Sequence, residues 1–319
     1  NVGNRCRDWR RRECREHIII GIVFPLSMLT FLVVIFRDRY DVLLASAAVP
    51  LMFAAYPWRF LTFGPLYSNL LSFAVLPAAM ATLMLILDAN SSLRERIRYG
   101  AVFIISLVGV AMTQPNAVFT LGVLLVPYLF MQIPRYVSHL GLTPYRKRMW
   151  TVCSCIAVLI LIALTWWGLY RLPALQRTVR WGWPSYVNKI QAFIDVVFVG
   201  FRNAEPQILL GVLVGIGILY TIVHVKFLWI TCSYAVICAL YMLSASTDGL
   251  AKQVLTGFWY HDSYRLGASA VIMAIPLAGF GLYVILHLIE SGLMRHSLQV
   301  VSQGQKIALS LLSVMLVMT

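Results

Sequence analysis

Residues 255–268 read LTGFWYHDSYRLGA, an acid, a base, a histidine and several aromatic side chains crowded between the apolar segments 227–244 and 267–289. Each of those segments is long enough to cross a bilayer as a helix. A polar knot between two spans makes this a membrane chain whose chemistry sits at a membrane face. Composition agrees: 60% of the 319 residues are hydrophobic and 12% charged, with a mean hydropathy of +0.80, against about half apolar and a quarter charged in a soluble domain. The longest polar stretch, 170–206, is too short and too aromatic to be a separate soluble catalytic domain.

Working outward from the knot, apolar runs at 18–36, 42–56, 70–87, 101–132, 151–170, 208–225 and 307–318 join the two flanking segments. The expected fold is all-α, a polytopic transmembrane bundle of about ten membrane helices including short ones. One transmembrane domain covers 1–319, and it reads as truncated at both ends, since residue 1 is Asn and residue 319 falls inside an apolar run. Pro25 predicts a kink in the first span. Residues 42–56 reach only about 22 Å as a helix, short of a ~30 Å core. That segment must stand nearly upright or end inside protein.

Residues 101–132 are too long for one untilted crossing, about 48 Å at ~1.5 Å per residue. Their centre reads TQPN, 113–116. Pro115 removes a donor and disfavours helix at Gln114, while Asn116 is a good N-cap, so two short helices meeting at a polar apex are expected. Upstream, YPWRFLTFGPLYSN at 56–69 carries prolines, a glycine and aromatics around Arg59, the pattern of an interfacial or re-entrant turn. Within 171–206, Ile190, Phe193, Ile194, Val197 and Phe201 recur at helical spacing, predicting a helix that lies along the membrane surface.

The joint 133–150, with Arg135, Arg146, Lys147 and Arg148, marks the inner face. Counting spans from it puts 56–69, TQPN, 171–206 and 246–266 outside and Lys226 inside. The same count puts residues 1–16, with six arginines, outside, against the positive-inside preference. A net charge of +14 fits anionic headgroups better than nucleic acid. Four of the six cysteines lie in apolar runs without acid or histidine at ligand spacing, which gives neither a disulfide framework nor a metal site.

The order PWRFLTFGPLYSNLL, a basic joint, QPN and then GFWYHDSYRL resembles a family of uncharacterised actinobacterial membrane proteins related to the GT-C glycosyltransferases. The resemblance implies a GT-C-like bundle in a bacterial plasma membrane, crossing it many times. It implies transfer of a sugar from a polyprenyl-phosphate carrier to a cell-envelope acceptor on the outer face. The donor would be the lipid-linked sugar, with no other cofactor and with any divalent metal left open, and the partners would be the bilayer and the polyprenyl-phosphate lipid. In GT-C proteins the catalytic acid follows the first span, which would place it before residue 1 here.

The knot itself admits two readings. In one, Asp262 or Ser263 caps the helix to residue 289, Arg265 snorkels to headgroups, and Phe258, Trp259, Tyr260 and Tyr264 form an interface belt. In the other, Arg265 in the first turn opposes the helix dipole unless an anion joins it, and a guanidinium beside free N–H groups is a phosphate site. Arg265, Tyr260 and Tyr264 would then hold the carrier phosphate, with Arg59, Asn69, Gln114 and Asn116 lining the same cavity. Asp262 and His261 are weak catalytic candidates. The rival classes are a transporter or flippase of an anionic lipid or small solute, for which no internal repeat is visible, and a noncatalytic membrane scaffold.

Overall fold

The structure, a computed structural model, describes residues 16–62, 66–202 and 204–295. The arginine-rich arm before residue 16 and the apolar run 307–318 lie outside the described residues. Those described are helical with no strand. Seven helices are long and apolar enough to cross a membrane by length and composition, and Ile208–Val223 is a shorter apolar helix. The chain is a helical membrane protein.

Helix α1, Glu16–Ile35, widens into a π-turn at Ile19–Val23 just before Pro25, where the missing proline N–H frees a carbonyl. Helix α2, Tyr40–Ala47, stops well short of residue 56. The chain beyond it is irregular until a wide turn at Ala54–Trp58. This segment ends inside protein, and a side chain supplies its missing bonds: Gln207 Oε1 accepts from Ala54 N at 2.9 Å and Gln207 Nε2 donates to Met52 O at 2.7 Å. Irregular backbone at membrane depth survives only where protein satisfies it. The same rule operates in α3, Tyr67–Ile86, where the Ala78 N–H beside Pro77 goes to Ser27 Oγ at 2.9 Å.

The TQPN apex joins two helices, as expected, but neither is short: α4 is Leu93–Thr113 and α5 is Pro115–Ser138. The reason lies in the basic joint DANSSLRERIRYG, 88–100. Ser92 and Glu95 form a capping box there, with the Ser92 N–H donating to Glu95 Oε2 at 2.8 Å, so the helix begins within the polar stretch. Likewise α6, Pro144–Arg171, starts inside the basic joint and buries no residue.

Helix α7 is Lys189–Val197, α8 Ile208–Val223, α9 Leu228–Ser246, α10 Leu250–Thr256 and α11 Ser263–Arg295. Helix α11 is the axis of the bundle, with residues 266–275 all buried. It lies against α8 at backbone contact. A Cβ on Gly217 would collide with Leu277 O, and one on Gly281 with Leu213 O. Small residues at such crossings let helices approach closely inside a membrane.

Two ends result. At the basic end, Arg37 after α1 pairs with Asp88 after α3 at 2.8 Å, and Arg135 of α5 and Lys226 before α9 line a cavity with them. At the other, the signature end, Ser68 Oγ donates to Gln114 Oε1 at 3.4 Å, the Tyr186 N–H donates to Ala245 O at 2.9 Å, and His261 reaches Val179 O at 3.0 Å. Residues 67–69, the TQPN apex, 171–206 and 246–262 therefore share one end. The interfacial helix is shorter than its apolar spacing suggests. It stops at Val197, and Phe201 lies beyond it, 1% exposed, after Val199 at φ +54°. Ile190 and Phe193 face outward, while Asp195 faces in.

Candidate functional site

The signature stretch is a folded knot. After α10 comes a single 3-10 turn, Gly257–Trp259, and then two consecutive non-glycine residues at positive φ, Tyr260 at +60° and His261 at +56°. Each costs on the order of 1–3 kcal/mol and needs surrounding structure to hold it. Phe258 and Trp259 supply that hold. They are 1% and 0% exposed, so they are core anchors and leave the interface belt to others. The Phe258 ring stacks on Phe119 at 4.0 Å, and Trp259 Nε1 donates to Thr120 Oγ1 at 2.8 Å.

Asp262 caps α11, accepting from Tyr264 N at 2.9 Å. Its other carboxylate oxygen lies 3.6 Å from Arg265 Nη1. Burial pushes the Asp262 carboxyl above its ordinary range, opposed by Arg265 and, to a smaller degree, by Arg202. Arg265 lies over the Tyr260 ring at 4.5 Å and donates to Trp259 O at 3.4 Å, yet its buried Nε makes no hydrogen bond. The strained backbone at Tyr260 thus places an aromatic face under the guanidinium.

Beside this stands a second guanidinium that sequence reasoning missed. Arg202, at φ +54°, lies 3.7 Å from the centre of the Tyr186 ring and 4.9 Å from that of Tyr264. Its Nε and Nη1 are buried without partners. Asp195 anchors its surroundings: it accepts from Gln191 Nε2 at 2.8 Å and Tyr241 Oη at 3.0 Å, and Tyr241 Oη accepts the Arg202 N–H at 2.8 Å. Desolvation raises the Tyr186 phenol to about 12. No local pattern marks FRNAEP as special, and only the fold carries Arg202 to the knot.

Four residues named from the sequence lie at this end with different standing. Asn116 is 2% exposed and neither amide atom has a partner. It is not the N-cap of α5, because Gln114 takes that place. Thr120, one turn along α5, contacts Ser269, one turn along α11 from Arg265, at 3.2 Å. The two helices run in the same direction from this end, so Asn116 stands level with Arg265. Asn69 is 1% exposed with Oδ1 unpartnered. Gln114 bonds Ser68 at the rim. Arg59 opens the single turn Arg59–Thr62 leading back to α3, and its neighbours Tyr56 and Phe60 are fully buried, so the 56–69 segment packs as core as well as interface.

Of the two catalytic candidates, Asp262 is committed to its cap and His261 to a structural bridge. His261 is 4% exposed; Nε2 donates to Val179 O at 3.0 Å, and Nδ1 lies 2.9 Å from Thr256 Oγ1. Burial holds its pKa down, with Lys252 adding to the effect. His261 also lines a second cavity, of about 520 Å³, with Tyr170, Arg180, Trp181 and Lys252. What the cluster offers is anion binding: two guanidiniums with free donors, a helix N-terminus, an unpaired Ser263 hydroxyl and two amides. Among the described residues no group of three His, Cys, Asp or Glu side chains could hold a metal.

Residues 17–319 match a family described as "Family of unknown function (DUF6541)". No curated protein and no solved structure matches the chain.

Proposed function

The chain belongs to that family, and we propose that it is a membrane glycosyltransferase of GT-C type, binding a polyprenyl-phosphate-linked sugar at the signature end and passing the sugar to a cell-envelope acceptor on the outer face. One observation carries the reading: Arg202 and Arg265 bring buried, unpartnered N–H groups to one carboxylate at the N-terminus of α11, level with the unpartnered amide of Asn116. Buried polar groups are normally satisfied, and a phosphate with a sugar attached supplies both the anion the guanidiniums lack and hydroxyls for the amides. Asp262 holds Arg265 in place when no phosphate is there. The acidic residue that activates the acceptor comes from a part of the protein other than this knot.

The test is binding of a polyprenyl phosphate to the full chain in zwitterionic nanodiscs, followed by a transfer assay with the sugar-loaded lipid. Arg265→Ala and Arg202→Ala should each weaken binding by about tenfold or more, the cost of unpairing a buried charge. Unchanged affinity in both variants overturns the lipid site. Tight binding without sugar release keeps the site but removes the transferase. A second reading, a flippase of the same lipid, draws support from the large cavity at the basic end, which would give the carrier a place at each face.

A further inference from the structure

The cavity at the basic end has a volume of about 1100 Å³ and opens between α1, α3, α5 and the start of α9. Its two halves differ in chemistry. One half is walled by Leu26, Leu29, Val33, Met84 and Trp229, and Leu26 and Val33 are 58% and 44% exposed on the lipid-facing side of α1. The cavity therefore opens sideways toward the bilayer. The other half is rimmed by Arg37, Gln132, Arg135 and Lys226 together with Asp38 and Asp88. Arg37 and Asp88 neutralise each other at 2.8 Å. Arg135 bonds the neutral Gln132 and Lys226 lies over the Phe227 ring, and neither has an ion pair among the described residues. Arg146, Lys147 and Arg148 on the adjoining first turns of α6 add to the positive field.

Water has no partners along the apolar half, and a hydrocarbon chain has none along the rim. Only an amphiphile satisfies both, with an apolar chain entering beside α1 and a negative head between Arg135 and Lys226. We infer that this cavity is a binding site for an anionic glycerophospholipid of the inner leaflet, held by its acyl chain against α1 and by its phosphate at Arg135 and Lys226. The basic joint places this end at the face where anionic phospholipid is the abundant negative amphiphile. The site is separate from the proposed carrier site and stands whether or not that reading holds.

The full chain in detergent is titrated with phosphatidylglycerol and, separately, with phosphatidylcholine, reading both thermal shift and quenching of Trp229 by lipids brominated on the acyl chain. Phosphatidylglycerol should raise the melting temperature and quench a fluorescence component that Trp229→Phe removes, and phosphatidylcholine should do neither at the same concentration. Arg135→Gln with Lys226→Gln should weaken the phosphatidylglycerol effect by about thirtyfold, since each of the two lost cations removes about 1 kcal/mol of attraction to an anionic headgroup. The control, Arg146→Gln with Arg148→Gln, removes the same charge outside the cavity and should leave most of the effect. An equal loss in the control reduces the finding to a nonspecific field and overturns the site. Equal binding of phosphatidylcholine overturns the anionic assignment. Displacement of phosphatidylglycerol by stoichiometric polyprenyl phosphate overturns the choice of occupant and favours a flippase.

Discussion

The two ends of the bundle handle polar groups in opposite ways. At the signature end charges are buried, the backbone is strained at Tyr260 and His261, and several donors and acceptors go unpaired. At the basic end Arg135 and Lys226 are exposed, the Arg37–Asp88 pair is on the surface, and a wide cavity separates the helices. A tight site with unsatisfied groups selects one ligand, because every wrong partner leaves a buried donor unmet. An open, hydrated rim attracts a class of ligand by charge and discriminates little. The proposed carrier site and the proposed phospholipid site follow this difference, one resting on unmet buried groups and the other on an exposed, charged rim.

The largest expected effect comes from the tryptophans. Trp259 is fully buried, bonded to Thr120 and packed near Phe119 and Trp166. Trp259→Ala should cost about 3–5 kcal/mol, the range for large aromatic truncation in a packed core. Trp229 is 4% exposed but borders the cavity, with Phe31 and Tyr128 on its edges. Because part of its surroundings is already open, Trp229→Ala should cost visibly less. Denaturant unfolding of both variants in the same detergent measures the gap, and equal losses would mean that the two ends are packed alike.

An intermediate effect, with an unusual sign, is expected at Asn116. With both amide atoms buried and unpartnered, Asn116→Leu removes a desolvation cost and should stabilise the empty protein by about 1–3 kcal/mol. The same variant should lose polyprenyl-phosphate-sugar binding. Gln132, 9% exposed at the basic end, accepts from Arg135 at 3.5 Å, a weak bond near the surface. Gln132→Leu should shift stability by about 1 kcal/mol or less, the net worth of one long hydrogen bond. If Asn116→Leu destabilises instead, the amide has a structural partner and the recognition role falls.

Much of this division could be read in the sequence. Pro115 flanked by the polar Gln114 and Asn116 marks the hairpin apex, whereas Pro77, Pro127 and Pro276, set among apolar neighbours, stay inside helices. The same local logic narrowed the cap of the last helix to Asp262 or Ser263 and left 42–56 either upright or ending inside protein, and contacts made far away decided the second choice. Partners supplied from far away were out of reach. Gln207 completing the backbone at Met52 and Ala54 depends on contacts across more than 150 residues, and Arg202 turning in over Tyr186 depends on a positive φ that no residue type announces. Phe258 and Trp259 looked like interface aromatics because composition cannot distinguish a ring at a headgroup from one stacked on Phe119. The 88–100 stretch read only as a basic joint because its charges hid the Ser92–Glu95 cap.

The smallest effect, and the most local, is the pH response of His261. Burial lowers its folded pKa below the ordinary 6.5, while the unfolded ring titrates near that value. Below pH 6.5 the unfolded chain takes up a proton that the folded ring refuses, so this group's contribution is complete at higher pH and is lost as pH falls through the lowered folded value. Lys252, pushing in the same direction, is itself paired with Asp248, whose carboxyl is held below its usual range by Ser185 and so stays charged throughout this window. Asp262, raised by burial, acts in the opposite sense, which is why the comparison must be with His261→Gln and not with the wild type alone. Hydrogen exchange between pH 7 and 5, corrected for intrinsic rates, should show 173–184 and 256–262 losing protection in the wild type more than in His261→Gln. Residues 84–90 at the basic end should not differ between the two proteins. A loss of protection spread equally over both ends would show that acid acts on the bundle as a whole, and that His261 does not tie the outer loop to the knot.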